Sequence, residues 1–210
     1  TDEAELAGLP QSAQAAARQL AEQKGQQGWL FTLDIPSYLP VMMYADNRAL
    51  RAELYEAFTT RASDQGPNAG KWDNSAIMSE LLTLRRELAQ LLGFANYAEL
   101  SLATKMADKP EQVVNFLTDL AAKSLPQGKA ELEEIRAFAA EQHGQSELAA
   151  WDLAYYAEKL KQHKFSISDE QLRPYFPANK VVKGLFEVVK RVFGIKVRAL
   201  GQWCSRAVPE

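Results

Sequence analysis

Cysteine is almost missing from this chain. Cys204 stands alone, which excludes an internal disulfide framework and makes a reducing, cytoplasmic setting the simplest expectation. Histidine is nearly as scarce, with only His143 and His163. A catalytic zinc takes three protein ligands, and a helix supplies two of them when histidines stand four apart. Neither histidine has another at that distance. His143 precedes Gly144, where a cation suits the negative end of a helix, and His163 lies in a polar patch, so both read as non-ligands. Basic excess is also lacking. The formal net charge is -3, so nothing drives the phosphate neutralisation on which nucleic-acid binding rests. No apolar run approaches the roughly 18 to 20 residues needed to span a bilayer. The opening Thr1-Asp2-Glu3-Ala4-Glu5 is acidic and polar, unlike a secretory signal, and a first residue other than Met points to residues upstream.

What is present is a globular composition. Hydrophobic residues make up 47% and charged residues 24% of 210, which argues against disorder and suits a chain able to bury a real core. The dominant pattern is helical. Residues 10–24 are rich in Ala, Gln and Glu, with Pro10 at the start and Gly25 at the end. Residues 29–34 form a short aromatic and aliphatic run, the best candidate for a β-strand or hairpin. Pro36 and Pro40 restrict the next segment to a short helix or turn. Leu50, Leu54, Ala57 and Phe58 make one apolar stripe. Residues 63–71 read as a loop, and Asp73 as the cap of a helix whose Ile77, Leu81, Leu84, Leu88 and Leu91 recur at alternating steps of four and three before Gly93. Pro110 opens a helix that Pro126 is expected to kink or break. A further helix begins near Trp151-Asp152, with Asp152 as its cap. Ser168 with Gln171 forms a capping-box pattern, and residues 179–193 make the last helix, ended by Gly194. The fold class expected is therefore mainly α, with at most a short strand or hairpin near residues 29–34.

Other constellations bear on chemistry. Gly66-Pro67-Asn68-Ala69-Gly70-Lys71 has three residues between its glycines where a phosphate-binding loop has four, and Trp72 follows Lys71 where that loop needs Ser or Thr. It reads as a structured connection. Cys204, in Gln202-Trp203-Cys204-Ser205, has no following His to act as base and reads as a plain thiol. Glu131, Glu133 and Glu134 alternate with Leu132 and Ile135, as on a solvated helix face. Trp151, Tyr155 and Tyr156 share a helix, with Trp151 and Tyr155 on one face. Such rings suit a core or a peptide-binding wall, and core is the better reading.

A series of segments then points to a family. Leu33-Asp34-Ile35-Pro36-Ser37-Tyr38-Leu39-Pro40-Val41-Met42, Tyr55 with Arg61, Leu84-Arg85-Arg86-Glu87-Leu88-Ala89-Gln90-Leu91-Leu92-Gly93-Phe94, Tyr97-Ala98, Lys105-Met106-Ala107, Trp151-Asp152 with Tyr155-Tyr156, and Gly184-Leu185-Phe186-Glu187-Val188-Val189 occur in order. Together they resemble the N-terminal and middle part of thimet oligopeptidase-like zinc metallopeptidases, in register from about Gly8 to Ile195. The resemblance implies a mostly helical, prolate fold whose two halves flank a channel that admits short peptides. It places zinc in the later half, on a His-Glu-x-x-His helix and a downstream Glu, with the helix Glu as general base. None of those positions matches a residue here. The expectation is thus no catalytic or metal residue in this chain, substrate-binding residues unassigned, and zinc only in the full-length family. Residues 1–195 are expected to form the oligopeptidase-like helical region. Residues 196–210 are expected to be a divergent tail, since Val197 to Arg206 follows no family pattern; a truncated gene, a frameshift or an appended tail would each produce it. The partners implied are oligopeptides, with self-association or a missing C-terminal half covering the surface left over. The alternative is a non-catalytic helical module that binds peptides or proteins.

Overall fold

In the computed structural model, residues 3–198 are described, the side chains of residues 169 and 170 excepted. The Ala- and Gln-rich stretch forms α1 (Gln11–Gln23), with Pro10 just ahead of it, and Gly25 turns the chain out at φ +68. Residues 29–34 do not form a strand, and none is present among the described residues. A strand needs a neighbour to complete its ladder, and here the backbone finds other partners. The Leu30 N–H donates to the Ala17 carbonyl of α1 at 3.0 Å, and the Thr32 N–H donates to Ser37 Oγ at 2.9 Å. Trp29 and Phe31 pack instead onto the first core.

α2 (Ile35–Tyr44) is a full helix despite its two prolines. Pro36 sits in the first turn, where its missing N–H costs nothing. α3 (Arg48–Thr59) comes next, with Asn47 Oδ1 accepting from the Ala49 and Leu50 N–H groups. Leu6, Leu9, Val41, Ala45 and Leu50 form the first core, built from a short 3-10 turn (Glu3–Leu6), α2 and α3. Gly8 holds that turn against the α2–α3 corner. Its φ is +83, and a Cβ there would stand 2.2 Å from the Tyr44 carbonyl oxygen, closer than any side chain tolerates.

α4 (Ser75–Leu91) has Asn74 as its N-cap residue, one position after the expected Asp73. Asp73 still serves it, accepting from the Ser75 N–H at 2.9 Å. α5 (Tyr97–Leu102) is capped by Asn96 and was not foreseen from the sequence. α6 (Pro110–His143) runs without interruption through Pro126. The lost hydrogen bond is one among many, and Ala, Leu, Lys and Glu on both sides are strong helix formers. Gly144 at φ +66 ends it. α7 (Ala150–Phe165) packs Tyr155 and Tyr156 with Ala139 of α6 into a second core.

The chain divides after Lys164. The second unit holds α8 (Asp169–Leu172), a 3-10 turn (Arg173–Tyr175) and α9 (Ala178–Phe193), closed by Gly194 at φ +69. The Ser168 N–H donates to Gln171 Oε1 at 3.2 Å, which is half of the capping box. Cys204 and the tail from residue 199 lie outside the described residues.

Candidate functional site

The densest polar assembly joins the α2–α3 corner to α7, across about a hundred residues of sequence. Asp152 stands at the third position of α7, where an acid suits the helix N-terminus. Its Oδ2 accepts from the Ala149 N–H at 3.0 Å, reaching back to the capping position rather than occupying it. The same carboxylate takes two guanidinium groups from α3. Arg48 Nη2 donates to Oδ2 at 2.7 Å, with its Nε at 3.0 Å, and Arg51 Nη2 donates to Oδ1 at 2.8 Å. Asp152 is 0% exposed and Arg51 2%, whereas the Arg48 side chain is 48% exposed. A buried charge is tolerated only when its hydrogen bonds are filled. Arg51 meets that condition, donating also to the carbonyls of Ala45 at 2.6 Å and Trp151 at 3.3 Å.

Aromatic groups and further acids complete the seam. The Arg51 guanidinium lies 4.1 Å above the Tyr155 ring, and Tyr155 Oη donates to Asp46 Oδ1 at 2.7 Å. Buried Glu158 accepts from Tyr44 Oη at 3.4 Å and Gln162 Nε2 at 2.9 Å. Burial pushes the Asp152 carboxyl up, but the hydrogen bonds from Arg48, Arg51 and the Ala149 amide outweigh it and hold the group below its ordinary value. Burial, then the hydrogen bond to Asp46, drives the Tyr155 phenol well above its ordinary value.

This arrangement positions helices. Its central carboxylate has no exposed surface, and its arginines are engaged by it. Trp151, Tyr155 and Tyr156 belong to the seam, with Trp151 edge-on to Tyr55 at 6.1 Å, so they pack as core and do not line an open wall. Arg48, Arg51, Asp46 and Glu158 were not singled out from the sequence. The one signal there is Arg51 itself, a charge beside Leu50 on a helix with an apolar stripe.

The other candidates stay apart. His143 packs edge-on to Phe138 and His163 packs tilted against it, each at 5.4 Å between ring centres. Among the described residues, no three His, Cys, Asp or Glu side chains group closely enough to hold a metal ion. Glu133 pairs with Arg136, Glu131 with Gln127 and Glu134 with Lys164, as on a solvated face. The turn from Gly66 is closed on itself, with the Gly70 N–H on the Ser63 carbonyl at 3.2 Å.

The framework around the seam is what the comparisons recognise: a model of Peptidase family M3 matches residues 41–203. The chain belongs to peptidase family M3. Among M3 relatives, oligopeptidase A of Salmonella typhimurium is 68% identical over 94% of this chain, and oligopeptidase A of Haemophilus influenzae is 62% identical over 93%. Dipeptidyl carboxypeptidase of Escherichia coli is 35% identical over 93%. The chain spans 29% of the length of both oligopeptidases A. No helix among the described residues is long and apolar enough to cross a membrane.

Proposed function

We propose that this chain supplies scaffold and channel wall to a zinc-dependent oligopeptidase that hydrolyses short peptides, and that it holds neither the zinc nor the general base. The observation that carries this reading is the pairing of 68% identity along nearly the whole chain with coverage of only 29% of the relative. The described residues do not fit a zinc site. The two histidines pack edge-on and tilted against Phe138, and the buried carboxylates Asp152 and Glu158 are committed to arginine, tyrosine and amide donors. Zinc, when bound in the full-length family, would activate a water for peptide hydrolysis, and no residue here takes part in that step. The setting proposed is the cytoplasm.

The exposed faces of α4, the first half of α6, and α9 carry many large apolar side chains. Apolar area of that kind marks an interaction surface or an aggregation liability. The chain is therefore proposed to associate, with itself or with the remainder of an oligopeptidase. The same faces favour a second reading, a non-catalytic module that binds peptides or proteins. Incubating the purified chain with a quenched fluorescent peptide and excess zinc tests the first reading. No turnover is expected, and less than one zinc per ten chains should survive dialysis. Turnover that follows the chain through several purification steps, or stoichiometric zinc by elemental analysis, refutes it.

A further inference from the structure

We draw no further inference here: the strongest candidate, the open apolar face of α9 formed by Val181, Leu185, Val188 and Val192, lies in a chain that spans 29% of the length of both oligopeptidases A, and nothing in the structure shows what covers it.

Discussion

At the scale of single residues, Asp152 carries the most weight. It neutralises Arg51 in the buried interior, so removing it leaves a buried cation with only carbonyl and aromatic-ring partners. Asp152→Ala is expected to destabilise the fold by about 3 kcal/mol. Arg48→Ala should cost under about 1 kcal/mol, because that side chain is half exposed and Arg51 still balances the carboxylate. Urea unfolding of the two variants separates the cases, and equal losses would show that the exposed arginine, not the buried one, holds the seam. The depressed Asp152 pKa also fixes the sign of a pH effect. Its contribution is fully present above the unfolded carboxylate value of about 3.9, and is lost as pH falls through the lower folded value. The unfolding free energy should therefore drop below about pH 4 more steeply in the parent than in Asp152→Asn. Parallel curves would mean that Asp152 does not titrate with folding.

At the scale of elements, α6 is the instructive case. Pro126 was expected to kink or break the helix, yet Pro110–His143 is continuous. A proline removes one hydrogen bond and crowds one carbonyl, here that of Ala122, at a cost of about 3 kcal/mol. The helix formers on either side offset that cost without removing it. Pro126→Ala should consequently stabilise the chain by about 1–3 kcal/mol, visible as a higher midpoint in thermal unfolding followed at 222 nm. An unchanged midpoint would place the segment around Pro126 outside the cooperative unit. Residues 29–34 teach the converse. Their composition suits a strand, but with no neighbouring strand their amides bond to an α1 carbonyl and a serine hydroxyl, and their aromatic rings pack onto the first core.

At the scale of the molecule, both apolar cores and the seam between them lie before the division at Lys164. A chain ending at Lys164 should therefore keep its thermal midpoint within about 3 °C of the full chain. A large loss would show that residues beyond 164 support the first unit. Exposed apolar surface was expected from residues 29–33, from Trp151, Tyr155 and Tyr156, and from Leu185, Phe186 and Val189 of the last helix. The first two groups are half-buried or buried, whereas Leu185 is exposed on α9, and further open faces belong to α4 and the first half of α6.

The sequence by itself determined the helical class, because periodicity, caps and terminating glycines are local. α3 starts where Asn47 can cap it, and α4, α6 and α9 end next to Gly93, Gly144 and Gly194. It also carried the family, through short segments in a constant order. Its histidines and its cysteine were scarce enough to read without a fold. Only the tertiary structure decided that Asp152 reaches back as a capping acid and forward to Arg48 and Arg51, that Tyr155 binds Asp46, and that the ladder from Ile77 to Leu91 stays open while the strand-like run is covered. Those outcomes depend on which surfaces meet across about a hundred residues. Side-chain type and spacing along one helix say which face is apolar, but what covers that face is settled by the neighbours the chain brings to it.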